Sequence, residues 1–221
     1  MTPLFRLESV ELSRGGAPVL RGVDAELPVG AACIWGRSGS GKTSLLRLLS
    51  RLADATGGRI LFHDEDVRTL DPLDLRRRVA LVPQVPALVG ETVADNVLYG
   101  TRLAGRTADV SRVLRLVDLD PELADRPATR LSVGQQQRVM LGRALALEPE
   151  VLLLDEPTSA LDGRSRDAVE ATLLHLRDTL RLSLVVVTHD RAQAARLADW
   201  VVELEDGRAV RCGPAADLLA V

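Results

Sequence analysis

Between a short apolar run, Ala31 to Trp35, and a leucine series at helical spacing (Leu45, Leu46, Leu48, Leu49, Leu52), the chain reads Gly36-Arg37-Ser38-Gly39-Ser40-Gly41-Lys42-Thr43. No other segment constrains the fold as strongly. Its glycines let consecutive backbone N–H groups point inward around an anion, and a helix starting at the lysine adds its dipole. The motif requires a buried strand, a tight turn and a helix in that order, which is the opening of an α/β unit. Lys42 is the only lysine, since the other 27 of the 28 basic residues are arginine. A compact ammonium is kept at the one place where a planar guanidinium would serve poorly. In such a cradle Lys42 reaches the β- and γ-phosphates of a nucleotide and the Thr43 hydroxyl meets Mg²⁺. Residues from Gly36 to Ser44 are the candidate phosphate contacts.

The rest of the composition sets limits. A chain of 221 residues, 46% hydrophobic and 27% charged, can bury the core of one domain and is not of the disordered class. A net charge of −3 argues against a general nucleic-acid binder. Two cysteines, Cys33 and Cys212, cannot build a disulfide framework. The opening residues do not read as a signal peptide, and no apolar run approaches the ~20 residues of a membrane span. A cytoplasmic location is the expectation. Cys33, Trp35 and Tyr99 are expected to be packing residues, and Arg76-Arg77-Arg78 a solvated helix end.

Period-2 alternation in Phe5 to Leu12 and Val19 to Leu27 predicts two antiparallel strands. Ala31 to Trp35, Arg59 to Phe62, Val79 to Val82, Val151 to Leu154 and Leu184 to Thr188 predict further strands. Helices are expected over Val110 to Leu116, from about Gln135 to Leu147, and from about Arg164 to Leu180. Val201 to Leu204 and Ala209 to Cys212 flank an Asp206-Gly207 turn. The fold class is therefore α/β: a mostly parallel sheet with an antiparallel β part and an inserted helical part.

The run Val151-Leu-Leu-Leu-Asp155-Glu156 ends a buried strand in two carboxylates, placing them at the sheet edge beside the phosphate loop. Asp155 suits the Mg²⁺ shell and Glu156 a water-activating base. A guanine-reading Asn-Lys-x-Asp motif cannot exist in a chain whose lone lysine is Lys42.

Leu131-Ser132-Val133-Gly134-Gln135-Gln-Gln-Arg138 lies upstream of that strand. Here the chain resembles the ABC ATPases, whose signature usually reads Leu-Ser-Gly-Gly-Gln. Their other motifs follow in order: Gln84 after the strand ending at Pro83, Ser159-Ala160-Leu161-Asp162, and His189 in Thr188-His189-Asp190. The resemblance spans nearly the whole chain. It implies one domain over 1–221, with a nucleotide-binding core (1–84 and 149–221) and a helical subdomain (85–148). It also implies ATP and Mg²⁺ as ligands, Thr43, Gln84 and Asp155 at the metal, and Glu156, His189, Gln84 and Lys42 in catalysis. Ser132, Gly134 and Gln135 would meet the phosphate held by a second subunit, because a serine at a helix start offers a hydroxyl and free N–H groups. Two ATP molecules would lie in a dimer interface.

Two positions depart from the family pattern. Arg14 stands where an aromatic residue usually stacks on adenine; it either stacks through its guanidinium or is a surface arginine. Val133 replaces the signature's first glycine and would resist a positive φ. Family members of this length work with a separate membrane permease, which would hold the chain at the inner face of the membrane. Pro86 to Val97, Gly57 to Phe62 and Asp66 to Leu70 resemble the iron-export and metal-tolerance ATPases, and similar segments occur in phosphate-import and multidrug types. The resemblance leaves a second job open, driving a soluble scaffold, as in iron–sulfur assembly, or a cell-division complex.

Overall fold

Alternation in the first thirty residues becomes a hairpin: β1 (Phe5–Arg14) pairs antiparallel with β2 (Ala17–Leu27) in the computed structural model, which describes residues 3–219. The outermost residues of the expected domain, 1–2 and 220–221, lie outside the described residues. The chain continues through β3 (Ala31–Trp35), α1 (Lys42–Leu49), β4 (Gly57–Phe62), β5 (Glu65–Asp66), α2 (Pro72–Arg78) and β6 (Val79–Val82). Three helices follow, α3 (Val93–Leu103), α4 (Val110–Leu116) and α5 (Val133–Leu145), with two short 3₁₀ turns before the last. The final stretch holds β7 (Val151–Asp155), α6 (Gly163–Leu180), β8 (Ser183–Thr188), α7 (Arg191–Leu197), β9 (Trp200–Glu205), β10 (Arg208–Pro214) and α8 (Ala215–Leu218).

The strands divide between two sheets, one antiparallel in the order β2-β1-β4-β5 and one of six strands in the order β10-β9-β3-β8-β7-β6. In the second, β9, β3, β8, β7 and β6 run parallel and only β10 is antiparallel. Parallel strands buried on both faces read as continuous apolar runs, which is why these segments were legible. Their side chains alternate between two cores. Leu152, Leu154, Leu184 and Val186 join the helical side with Val97, Leu114, Leu141 and Leu173. Val151, Leu153, Val185 and Val187 join α1 and the antiparallel sheet through Leu45, Leu49, Phe5 and Phe62. Each such fully buried Leu or Val contributes about 1.5–3 kcal/mol, so the sheet is the rigid element of the molecule.

Four expectations need correction. Helix α5 runs Val133–Leu145, two residues earlier at each end, because Ser132 and Gln135 form a capping box that starts it at once. Val133 is the first residue of that helix and is not among the positive-φ positions, so its branched side chain meets no strain; it is about half exposed. The arginines of α2 are not simply solvated. Arg76 donates to the carbonyls of Ser50 and Arg51, and Arg78 pairs with Glu150 and lies over the Phe62 ring. Tyr99 is 45% exposed on α3, with Arg143 beside its ring, instead of packing in a core. Cys33 is fully buried as expected, and burial pushes its thiol up to about 12.

Candidate functional site

Because β3, β8, β7 and β6 are parallel neighbours, their C-terminal ends lie side by side, and the next residues of each strand share one edge. That edge receives the Gly36 loop after β3, His189 after β8, Glu156 after β7 and Gln84 after β6. The topology thus gathers residues spread over more than 150 positions. An open cleft of about 370 Å³ forms there, lined by Val19, Ser38, Gly39, Gly41, Lys42, Thr43, Ser44, Gln84 and Glu156.

The loop is shaped from both sides. Gly41 takes φ +103 immediately before α1, and a Cβ there would also press on Leu20 of β2. Only glycine satisfies both conditions. Helix α1 has no side-chain cap, so the N–H groups of its first turn, from Lys42 onward, have no intrahelical acceptor and are free to bind an anion. Lys42 is largely buried, and its Nζ donates to the carbonyls of Gly36 (2.8 Å) and Arg37 (2.9 Å), folding the side chain along the loop. Burial lowers its pKa, against the pull of Glu156 and Asp155. The Ser40 hydroxyl is buried and has no hydrogen-bond partner among the described residues; Arg37 is exposed.

Across the cleft Thr43 Oγ1 donates to Asp155 Oδ1 at 2.9 Å. Burial raises the Asp155 pKa, partly offset by that hydrogen bond. A hydroxyl and a carboxylate side by side at a phosphate loop suit Mg²⁺, which takes one or two protein oxygens and completes its shell with phosphates and water. Among the described residues there is no cluster of three His, Cys, Asp or Glu that would hold a metal without a phosphate ligand.

Glu156 adopts φ +44, a left-handed conformation unusual for a residue with a side chain. It is held there from both sides: its N–H donates to Val187 O, and its carbonyl accepts from the N–H and Oγ of Ser159. The carboxylate of Glu156 faces His189 Nδ1 at 3.3 Å, and Gln84 Nε2 donates to it at 3.3 Å and to Ser159 Oγ at 3.0 Å. Thus Glu156, His189 and Gln84 converge as the motif order implied.

The remaining predicted residues do not line this cleft. Arg14 is exposed at the end of β1, paired in register with Ala17, while Val19 of β2 forms the cleft wall. Val19 was missed by sequence reading because an ordinary strand valine carries no chemical signal. Ser132 begins α5 and is exposed; its Oγ accepts from Gln135 N at 3.3 Å and its N–H donates to Gln135 Oε1 at 3.0 Å. The Gln135 side chain is therefore engaged in capping. Gly134 is buried, and a Cβ there would crowd Ser165 near the start of α6.

Comparison with known proteins agrees with this geometry. The ABC transporter family profile matches residues 20–159. Protein STAR1 of Oryza sativa subsp. japonica is 47% identical over 207 residues, covering 92% of this chain and 60% of that protein. ABC transporter I family member 17 of Arabidopsis thaliana is 43% identical over 199 residues, covering 88% of this chain and 76% of that protein. The structure of cbiO1 from Clostridium perfringens, part of the ABC transporter complex cbiONQ, superposes with a TM-score of 0.89 at 25% identity, covering 100% of this chain and 92% of that one. The chain thus spans about 60% of the length of the rice protein. With its phosphate loop, paired carboxylates and sheet order in place, the chain belongs to the ABC transporter family.

Proposed function

We propose that two copies of this chain enclose two ATP molecules and that their hydrolysis drives a separate membrane permease. The observation that carries this reading is the convergence of Lys42, Thr43, Gln84 and Glu156 on one cleft, with Asp155 bonded to Thr43. The loop N–H groups and Lys42 bind the phosphates. Thr43, Asp155 and Gln84 would hold Mg²⁺, which when bound supplies positive charge to the β- and γ-phosphate oxygens. Glu156 takes the proton of the attacking water as its oxygen bonds to the γ-phosphorus and the bridging P–O bond breaks toward ADP. His189 orients Glu156 and the γ-phosphate, and Gln84 reports the state of the site to the helical segment that follows it. The core is assigned to 1–84 and 149–221, the helical subdomain to 85–148.

The second half of each site comes from the other copy. The Ser132 hydroxyl and the first-turn N–H groups of Val133 and Gly134 form a second phosphate-binding helix end that does not line the chain's own cleft. A cleft open to solvent needs such a cover. Arg14, exposed at the end of β1 and outside the open cleft, is assigned to the adenine edge only in the closed, two-chain site.

We assign the membrane-crossing part to a partner permease; among the described residues no helix is long and apolar enough to cross a membrane. Docking to it places the chain on the inner face of the membrane. Exposed Val85, next to Gln84, lies where such a partner would sense the site. The cargo is a metal ion such as iron, or an inorganic ion such as phosphate. Pro86 to Val97, Gly57 to Phe62 and Asp66 to Leu70 support that subgroup. Tagged protein solubilised with its membrane should co-purify a polytopic membrane protein whose cargo ion stimulates ATP turnover, and Lys42→Ala should abolish that turnover. Recovery of a soluble scaffold alone, or normal turnover by Lys42→Ala at saturating MgATP, would overturn the reading.

A further inference from the structure

We propose that Gln193 is a positioning residue for ATP hydrolysis, locking the segment that carries His189 onto the turn that carries Glu156. The inference rests on the roles given above to those two residues. Gln193 sits in α7, four residues after His189, and is 3% exposed. Its amide nitrogen donates both hydrogens, one to Thr158 Oγ1 at 2.5 Å and one to Glu170 Oε1 at 2.8 Å. Thr158 is buried two residues after Glu156, and its carbonyl accepts from Leu161 N, closing the turn. Glu170 is a buried carboxylate on α6, held also by Arg196 of α7 through Nε (2.8 Å) and Nη2 (3.0 Å).

One side chain therefore joins three elements that the backbone leaves separate. The link reaches the site along a short path. Asp190, next to His189, caps α7 by accepting from the N–H groups of Ala192 and Gln193. Shifting Gln193 moves the cap, and the cap moves His189 relative to Glu156, now 3.3 Å apart. A cavity of about 80 Å³ is lined by Glu156, His189, Thr158 and Gln193 among others, so the side chains have room to drift if released. An apolar residue would pack α7 on the sheet equally well; a satisfied amide between two acceptors fixes direction as well as distance.

The test is steady-state and single-turnover ATP hydrolysis by Gln193→Met, which keeps the volume and removes both donors, with nucleotide affinity measured alongside. The expected result is a kcat lower by roughly 10- to 100-fold, with KM and nucleotide affinity within about twofold because Lys42 and Thr43 are untouched. In a His189→Ala background the same substitution should cost less than about twofold, since its effect runs through the histidine. Thr158→Val breaks the same link from the other side, should lower kcat in the same direction, and carries the test if Gln193→Met does not fold. Unchanged kcat in a folded variant, a loss confined to KM, or an equal loss with and without His189 would each overturn the proposal. Parallel Glu156→Gln and His189→Ala single variants separate the two claims. If these retain wild-type turnover the catalytic assignment fails, whereas if they are inactive and Gln193→Met is normal, only the positioning role fails.

Discussion

Asp155 is poised against its own solvation. Burial raises its pKa even though Thr43 donates to it, so the folded chain binds the Asp155 proton more tightly than the unfolded chain does. The ionised carboxylate therefore lowers stability once pH rises above the unfolded value near 4, and the penalty disappears below it. Asp155→Asn keeps the shape and removes the charge. It should raise Tm at pH 7, with the difference shrinking toward pH 3, while MgATP hydrolysis collapses. Thermal unfolding across that pH range checks the claim; an unchanged or lower Tm at neutral pH contradicts it. Residue identities of this kind were legible in the sequence because each follows a strand end. The left-handed backbone of Glu156 and the links from Gln193 to Thr158 and Glu170 were not, because they depend on partners brought close only by the folded sheet.

Elements were legible in proportion to their burial. The strands Ala31–Trp35 and Val79–Val82 begin and end where their apolar runs do, since both faces are covered. Helix α7 carries no helical signal in the sequence: it is seven residues long, built on alanines without an apolar period, and is defined instead by the Asp190 cap. The helical region is tied to the site by another polar junction. Arg143 of α5 donates to Ala87 O (2.8 Å), Asn96 O (2.9 Å) and Asn96 Oδ1 (2.5 Å), while the same Oδ1 accepts from Val89 N. This clamps the segment after Gln84 between α3 and α5. Arg143→Met should leave these acceptors short of donors and destabilise the protein by about 1–3 kcal/mol, read by urea unfolding. A change below about 0.5 kcal/mol would mean that water replaces the guanidinium without loss.

At the scale of the whole molecule, one copy holds a phosphate-binding loop that is open to solvent and, on the helical side, a second helix start that lies outside the same cleft. Two such half-sites make sense as parts of a sandwich of two chains. The sequence motifs identify both halves, and the family resemblance puts them on different subunits; the folded chain adds that the Ser132 end of α5 is not among the residues lining the Lys42 cleft. In the proposed dimer, ATP joins Lys42 of one copy to Ser132 of the other while Glu156 limits how long it stays. Glu156→Gln keeps the shape of the side chain and removes the base, so hydrolysis should fall by roughly 100- to 10,000-fold with binding retained. The deciding measurement is the mass of Glu156→Gln by analytical ultracentrifugation with and without MgATP. The expected result is a monomer or weak dimer without nucleotide, a stable dimer with ATP, and loss of that dimer when Ser132→Arg is added although each monomer still binds ATP. A Glu156→Gln chain that stays monomeric in saturating ATP, or a dimer that Ser132→Arg leaves intact, would contradict it.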